Sequence, residues 1–507
     1  MEASRTKRTA QNAAVGFIYQ LVSLILNFVS RTVFIKTLGS EFLGMNGIFS
    51  DVLSLLSMAD LGFSTAMSYS FYKPLAQDDH KKIAALISFY KRVYNIIAAT
   101  VLVIGLACVP FLKYIINTDQ VIDHLEIYYL ISLAGVVISY LFVYKTTLLS
   151  ADQKDYKATA IRMWTNMLKV LVQIAVLIIF KNYMLYLAIN VLFNFINNVV
   201  TSKKTEKEYP YINEKVDSSY IKDDIKTGIL GNMKSVFIYK ISETLFNATD
   251  NILISMLVGT VTVGLYSNYL MVSNKLLLIE QIVFSAMTAS VGNVIATEKP
   301  EKRLKIFNSM CSGGFIFSGI ITSGFCLLVN DLINVWIGEA YLLPLIVIVA
   351  ITVNNYMSCA LTPLWVYRDA TGLYRKTKFV RLIGAILNLI LSVILGKLIG
   401  LAGIIFASAI AKCATFVWYE PKVLFRDYFD SGVIRYYRDL LLNVLVVVIT
   451  IIIIGKLSAF FVVTGWITLF IKGIIVGIII SVEFFMLYHK TEGAQLIIEK
   501  IRHIIKK

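Results

Sequence analysis

The sequence predicts an all-α, polytopic membrane protein with fourteen transmembrane helices. Of its 507 residues, 57% are hydrophobic and 16% are charged, whereas soluble domains carry about 25% charged residues. A soluble chain of this composition could not bury its apolar surface, because soluble cores divide into separate domains as they grow. Long, largely apolar runs at 444–454 and 467–480 indicate the same class.

Fourteen apolar segments are long enough to cross a bilayer, for which a helix needs about 20 residues. We number them segments 1 to 14, and they lie near residues 12–35, 45–72, 83–112, 125–149, 157–180, 183–200, 224–257, 263–296, 303–329, 343–367, 377–398, 400–420, 436–455 and 459–489. The longer segments are expected to tilt or to continue beyond the bilayer.

Basic residues are unevenly distributed between alternate connections of these segments. With the amino terminus on the inner side, the termini and the inner connections, counted together with the adjoining segment ends, hold 37 Lys and Arg residues, and the outer loops counted in the same way hold 5. The positive-inside rule therefore predicts that both termini are cytoplasmic. Attraction to anionic lipid of the inner leaflet accounts for most of the net charge of +16, so nucleic acid is not an expected partner.

Nothing in the sequence predicts an enzyme, a cofactor or a metal site. The five cysteines lie in apolar segments without CxxC spacing, and the four histidines are far apart. No Walker-type glycine loop, HExxH motif or nucleophile elbow occurs. Active transport would therefore have to use an H⁺ or Na⁺ gradient, the membrane potential or the gradient of the substrate itself.

A polar stripe on segment 1 recurs 220 residues later on segment 7. In both segments the polar residues lie three and four positions apart, which places them on one face of a helix. The first stripe is Gln20, Ser23, Asn27, Ser30 and Arg31, and the second is Lys240, Glu243, Asn247, Asp250 and Asn251. Because lipid penalises such groups, each stripe is expected to face a partner helix or a polar cavity.

The same register continues beyond the stripes. The glycine pair Gly39 and Gly44 recurs as Gly259 and Gly264. Six segments with both ends inside repeat in the same orientation, so we predict two six-helix lobes in a parallel pseudo-twofold repeat that line one path.

Composition divides the chain into five parts. A charged stretch separates segments 6 and 7, and segments 13 and 14 have no counterpart in the first half. A basic, isoleucine-containing end is expected to lie on the inner leaflet. In order, we predict an N-lobe at 1–200, a cytoplasmic linker at 201–226, a C-lobe at 227–420, two extra helices at 421–489 and an amphipathic cytoplasmic tail at 490–507.

Three carboxylates in apolar segments are candidates for binding a coupling ion. Asp60 and Glu280 lie mid-span at matching places of the repeat, and Asp250 belongs to the second stripe. A carboxyl group in that setting can take up H⁺ or Na⁺ as a cavity opens and closes. Structural hydrogen bonding of Asp60 and Glu280 is the alternative.

Pairing within the protein is the alternative role for other charges in the apolar segments. Arg31 could also reach the outer headgroups, whereas Lys169 and Lys275 lie too deep to do so. The pairs that the spacing allows are Lys240 with Glu243, Arg31 with Asp51, and Lys472 with Glu483.

Several motifs follow one another near the amino terminus. A basic first segment is followed by the glycine turn Leu38–Gly44, by Ala-Asp-Leu-Gly at 59–62 and by Pro-Leu-Ala at 74–76. With these features the stretch 12–79 resembles the start of bacterial polysaccharide flippases of the Wzx type, within the multidrug/oligosaccharidyl-lipid/polysaccharide exporter superfamily. The twofold repeat covers 1–420, and fourteen helices also occur in that family.

The resemblance implies that the chain moves an undecaprenyl-pyrophosphate-linked oligosaccharide from the inner to the outer leaflet of a bacterial plasma membrane. It implies alternating access and a role in surface polysaccharide assembly. It also implies a positively charged cavity lined by segments 1, 2, 7 and 8. Implied partners are the lipid-linked oligosaccharide, membrane lipids, a polysaccharide polymerase and glycosyltransferases. The implied contacts are Arg31, Lys240 and Lys275 to the anion, and Gln20, Asn27 and Asn247 to the sugars.

Other functions remain open. A flippase for the peptidoglycan precursor lipid II would differ only in its headgroup. A cation-coupled multidrug antiporter of the same superfamily prefers a cavity carboxylate on its first helix, and 20–31 contains none. A membrane scaffold that transports nothing would need no mirrored polar stripes.

Overall fold

The chain forms a bundle of apolar helices. The computed structural model describes residues 2–60, 63–118, 122–214, 216, 237–491 and 495, and no strand occurs within these ranges. Ten helices in the described part are long and apolar enough to cross a membrane, or eleven if the bent pair at 345–371 is counted as one span. The protein is therefore an all-α, multi-pass membrane protein, as its composition predicts.

The chain divides into two compact units, Met1–Gly264 (unit 1) and Leu265–Lys507 (unit 2). The helices of unit 1 are α1 (Glu2–Leu56), α2 (Phe63–Ala76), α3 (His80–Cys108), α4 (Leu112–Ile115), α5 (Leu125–Ala151), α6 (Asp155–Phe180), α7 (Tyr183–Glu208), α8 (237–248), α9 (Asp250–Leu257) and the start of α10 (Thr260–Ser285). Unit 1 extends to Gly264 because α9 packs against α1 and α4.

Unit 2 contains the rest of α10 and the later segments. Its further helices are α11 (Thr288–Thr297), α12 (Pro300–Ile337), α13 (Leu345–Ala360), α14 (Thr362–Thr371), α15 (Tyr374–Ala414), α16 (Phe416–Leu424), α17 (Ile434–Ser458) and α18 (Trp466–Tyr488). The two longest helices are each interrupted by non-helical backbone, α1 at Gly39 and α15 at Ile399 and Gly400. When α1 and α15 are divided there, each of the fourteen predicted segments coincides with helical backbone of the described residues.

Both glycines at the matching turns have a positive φ. Gly39 has φ 84° between segments 1 and 2, and Gly259 has φ 128° between α9 and α10. An L-residue with a side chain rarely adopts such angles, so glycine is required at both places. The repeat inferred from sequence register therefore recurs as a repeated backbone turn.

The second glycine of each pair permits a close crossing of two helices within unit 1. A Cβ atom on Gly44 would lie 2.1 Å from the Thr260 carbonyl oxygen, and one on Gly264 would lie 1.9 Å from the Ser40 carbonyl oxygen. Each glycine thus lies against the carbonyl group of the residue four positions before the other glycine. The two contacts are therefore related by a local twofold symmetry. We call these four residues the glycine crossing.

Polar contacts surround the glycine crossing on the side that charge distribution predicts to be outer. The Thr260 amide donates to the Asn117 carbonyl oxygen at 2.8 Å, and the Asn117 amide donates to Ser255 Oγ at 3.4 Å. Thr118 donates to the Glu41 carboxylate beside them. Residues beyond the end of α4 thus connect the turn before α10 to the turn within α1.

The first part of the predicted linker is ordered against unit 1. Helix α7 runs on to Glu208, and a short 3-10 helix follows at Pro210–Asn213. Tyr209 donates to Asp152 Oδ2 at 2.7 Å, and burial raises the pKa of this phenol, so it remains the donor. The Tyr211 ring stacks on His80 at 4.0 Å. Residues 217–226 of the predicted linker lie outside the described residues. The predicted tail at 490–507 does so too, apart from residues 490, 491 and 495.

The two extra helices pack against α12 within unit 2. Lys472 on α18 donates to Asp331 Oδ2 on α12 at 2.7 Å, and Thr450 on α17 donates to Glu483 Oε1 on α18 at 2.7 Å. The predicted pairing of Lys472 with Glu483 is therefore wrong. Each side chain takes a partner on a neighbouring helix, because a close interhelical contact satisfies a buried charge better than a group eleven residues along the same helix.

Candidate functional site

The stripe on segment 1 faces the interior of unit 1. Ser23 is 8% exposed and accepts a hydrogen bond from Asn27 Nδ2 at 3.1 Å. Ile25 and Val29, which lie on the opposite face, are 62% and 44% exposed, as lipid-facing residues are, and Leu24 at the edge of the stripe is 46% exposed. The inward direction predicted for this stripe is confirmed at Ser23. Gln20, in the preceding turn, is partly buried.

Arg31 lies at the end of this stripe against an aromatic group. It is partly buried and interacts electrostatically with Tyr186 of α7. The Tyr186 ring packs edge-on to Phe34 at 5.1 Å, and its carbonyl oxygen accepts from Gln173 Nε2 at 3.1 Å. The guanidinium thus lies beside Tyr186 of α7, a residue that is itself positioned by Phe34 of α1 and Gln173 of α6.

The stripe on segment 7 contains a local ion pair. Lys240 Nζ lies 3.0 Å from Glu243 Oε2, and the two side chains are 44% and 42% exposed, so this predicted pair is confirmed. Asn247 is exposed, and its side chain donates to the Glu243 carbonyl oxygen at 2.9 Å. An anion that contacted Lys240 would have to compete with Glu243.

Asp51 has a hydrogen-bond partner, and Asp250 lies at the start of a helix. Asp51 forms a side-chain hydrogen bond with Asn251, the last residue of the second stripe. The structure therefore connects Asp51 to α9, while Arg31 lies beside Tyr186. Asp250 begins α9, where a negative side chain stabilises the positive end of the helix dipole. This position gives Asp250 a structural role beside its predicted role in ion coupling.

Glu280 is the most deeply buried of the coupling candidates that the structure describes. Its side chain is 1% exposed and faces Cys359 and Thr362, at the bend between α13 and α14. Its Oε1 has no hydrogen-bond partner among the described residues. Lys275 lies on the same helix and is partly buried, and no described carboxylate forms an ion pair with it. The side chain of Asp60 lies outside the described part of the chain.

Unit 1 contains two polar cavities that the sequence analysis missed. The first, which we call the cationic cavity, has a volume of about 250 Å³ and is lined by Tyr19, Arg162, Thr165, Asn166, Lys169, Phe193, Asn194 and Asn197. The second, which we call the neutral cavity, has a volume of about 360 Å³ and is lined by Asn46, Phe49, Ser50, Leu53, Ser54, Ser57, Ser132, Gly135, Val136, Ser139, Leu187, Asn190 and Asn194.

Comparisons with solved structures identify the fold. No family model and no curated protein sequence matches the chain. The lipid II flippase MurJ, in an inward closed conformation, is similar over 93% of this chain and 98% of its own, with 14% identity and a TM-score of 0.67. The chain therefore shares the fold of this flippase.

Two MATE transporters have the same fold. A multidrug resistance MATE family transporter of the MOP superfamily, in an inward-facing conformation, covers 78% of this chain and 93% of its own, with 15% identity and a TM-score of 0.60. The Vibrio cholerae MATE transporter VcmN is similar over 85% of this chain and 100% of its own, with 14% identity and a TM-score of 0.56. At these identities the likeness concerns the fold, and the cargo has to be argued from the chain's own residues.

Proposed function

We propose that the protein moves an undecaprenyl-pyrophosphate-linked oligosaccharide from the inner to the outer leaflet by alternating access, for surface polysaccharide assembly. The observation that carries this proposal is the first stripe, which faces the bundle interior and ends in Arg31 without containing a carboxylate. A basic, amide- and hydroxyl-bearing face suits an anionic cargo that carries sugars, whereas a cationic drug would require a carboxylate there.

The physical demands of this cargo agree with the side chains available. A pyrophosphate that leaves water needs charge-assisted donors, which Arg31, Lys240 and Lys275 supply. Gln20, Asn27 and Asn247 supply amide groups for sugar hydroxyls. A membrane potential that is negative inside favours outward movement of an anion by about 2.3 kcal/mol per charge for each 100 mV. The polyprenyl tail can stay in lipid throughout.

Glu280 is the residue that we propose for ion coupling. An intramembrane carboxyl group with one oxygen lacking a described partner is suited to exchange H⁺ or Na⁺ when its surroundings change. Asp60 and Asp250 remain weaker proposals for the same role. No other cofactor is proposed.

The cellular setting of this proposal follows from its cargo. We propose a bacterial plasma membrane with both termini cytoplasmic, where glycosyltransferases supply the lipid-linked oligosaccharide and a polysaccharide polymerase consumes it on the outer side. Membrane lipids are the remaining partners. Nucleic acid has no part in the proposal.

A second candidate function is flipping of lipid II, the cargo named for MurJ. The likeness to MurJ extends over 93% of this chain, against 78% and 85% for the two MATE transporters, which favours this candidate over a multidrug antiporter. Lipid II also has a pyrophosphate and sugars on a polyprenyl tail, so the same cations would serve. Complementation separates the candidates: a lipid II flippase would restore growth to a host without its own, and a drug antiporter would raise toxin resistance in a pump-deficient host.

The Arg31→Ala variant tests the anion contact. We expect loss of at least nine tenths of the surface polysaccharide in a deletion strain that carries the variant, at unchanged protein level, because the pyrophosphate loses a charge-assisted donor worth about 1.5–3 kcal/mol. Arg31→Lys should retain part of the activity. Lys36→Ala, which removes an exposed cation five residues along the same helix, is the control. Wild-type surface polysaccharide in Arg31→Ala would rule out the anion contact.

A further inference from the structure

Lys169 is a membrane-embedded cation in the middle of α6 whose charge has no acidic partner among the described residues. Its Nζ donates to Asn190 Oδ1 at 3.1 Å, and no described carboxylate forms an ion pair with it. Such a charge costs several kcal/mol in a membrane interior, so it is expected to serve a ligand or a pathway. The cationic cavity supplies the space for that ligand.

The two cavities differ in chemistry and are in contact. The cationic cavity contains Arg162 and Lys169 and no carboxylate in its lining. The lining of the neutral cavity contains no charged side chain and is rich in serine and asparagine. Asn194 lines both, and the hydrogen bond from Lys169 to Asn190 connects one lining to the other.

These polar side chains belong to the inner surface of the bundle. On α6, Trp164 and Leu168 are exposed as lipid-facing residues are, whereas Lys169 and Asn166 are partly buried. Thr165 donates to Asn197 Oδ1 at 3.1 Å across to α7. Both cavities are therefore lined by helices of unit 1.

The direction of the chain orders the two cavities across the membrane. With the amino terminus on the cytoplasmic side, α6 runs outward, so Arg162 in its first third lies toward the inner leaflet. Helix α7 runs inward, so Leu187 and Asn190 lie in its outer half. The cationic cavity is thus the inner one, and the neutral cavity continues from it toward the outer side.

We infer that the two cavities together form one headgroup site within unit 1, in which the cationic cavity holds the pyrophosphate of a polyprenyl-linked saccharide and the neutral cavity holds the sugar attached to it. This inference rests on the proposed function and assigns contacts that differ from Arg31, Lys240 and Lys275. A pyrophosphate bonded to a sugar matches the order of the two cavities. The neutral cavity alone reaches the size of typical ligand sites, about 300–1,000 Å³.

Binding by the purified full-length protein in lipid nanodiscs tests the cationic cavity. The probes are undecaprenyl pyrophosphate and undecaprenol, with affinities measured by native mass spectrometry. We expect the wild type to prefer the pyrophosphate, and Lys169→Gln and Arg162→Gln each to weaken that binding about tenfold. Lys169→Arg should retain the preference. Lys203→Gln, which removes an exposed cation from the end of α7, should behave as the wild type does.

Undecaprenyl-pyrophosphoryl-N-acetylglucosamine tests the neutral cavity. Ser54 belongs to the lining of the neutral cavity and not to that of the cationic cavity, so Ser54→Leu should fill the space for the sugar and leave the anion contacts in place. We expect this variant to lose the extra affinity that the sugar gives while binding undecaprenyl pyrophosphate normally.

Each contrary result has a distinct meaning. A wild type that prefers the pyrophosphate lipid, together with a Lys169→Gln variant that keeps this preference, would overturn the inference and leave the proposed function standing. Inorganic pyrophosphate binding as tightly as the lipid would assign the cavity to a free anion and also overturn it. A wild type without any preference for the pyrophosphate lipid over undecaprenol would contradict the proposed function as well.

Discussion

Charged side chains in the predicted spans differ in how their charge is compensated, and this difference separates structural from functional candidates. Lys472 meets Asp331 on a neighbouring helix, and Lys240 meets Glu243 one turn away. Lys169 donates a hydrogen bond to the side-chain amide of Asn190, and one carboxylate oxygen of Glu280 has no hydrogen-bond partner among the described residues. Uncompensated groups are costly to keep in a membrane, so function is the stronger explanation for Lys169 and Glu280.

The Glu280→Gln variant tests ion coupling at the residue scale. Because this substitution keeps the shape of the side chain and removes its ability to exchange a proton or to bind Na⁺ as a carboxylate, flipping in proteoliposomes should lose most of its dependence on pH or on Na⁺. Glu339→Gln, at an exposed turn, is the matched control. If Glu280→Gln responds to both ions as the wild type does, the coupling role belongs to another residue.

Helix pairs in unit 1 depend on glycine at the crossing that joins α1 and α10. The added Cβ of Gly44→Ala or Gly264→Ala would overlap a carbonyl oxygen of the partner backbone, which cannot move aside as a flexible side chain can. At Gly47 the nearest atom to an added Cβ is a Val263 methyl carbon at 3.6 Å, which is an ordinary contact. We therefore expect alanine to be tolerated at Gly47, which lies beside the glycine crossing, but not at Gly44 or Gly264 within it.

Alanine substitutions at the glycine crossing should destabilise the protein. We expect Gly44→Ala and Gly264→Ala each to cost about 1–3 kcal/mol, as overpacked sites do, and to lower the apparent melting temperature measured by size-exclusion chromatography after heating. Gly47→Ala should leave that temperature unchanged. Equal melting of all three variants and the wild type would show that the two backbones are not in close contact.

The periodicity of polar residues could predict much at the element scale, and its limits are physical. Spacing along the chain identified the first stripe and the pair of Lys240 with Glu243, because both depend on one helix alone. It misassigned Lys472, whose partner depends on which helices pack together. The cavity residues missed here also follow helical spacing, since Arg162, Asn166 and Lys169 on α6 resemble the stripe of segment 1. Applying the same test to segments 5 and 6 would have found them.

At the scale of the whole molecule, composition and charge asymmetry predicted the class because a bilayer restricts spanning structures to a few kinds. Fourteen apolar segments correspond to helices of the described residues, although two pairs of segments are continuous apart from a kink. Gly39 and Gly259, at matching places of the predicted repeat, both have a positive φ. The cargo is less accessible to such reasoning, because one fold carries drugs in some proteins and lipid II in another.

The most direct test of the central claim is transbilayer movement in proteoliposomes that contain the purified protein and undecaprenyl-pyrophosphoryl-N-acetylglucosamine. Accessibility of the sugar to an enzyme added outside the vesicles reports the flipped fraction. We predict that the wild type moves the lipid at least tenfold faster than protein-free vesicles and that Arg31→Ala moves it at the protein-free rate. Vesicles in which the wild-type protein leaves this lipid in place but transports a cationic drug such as tetraphenylphosphonium would contradict the account.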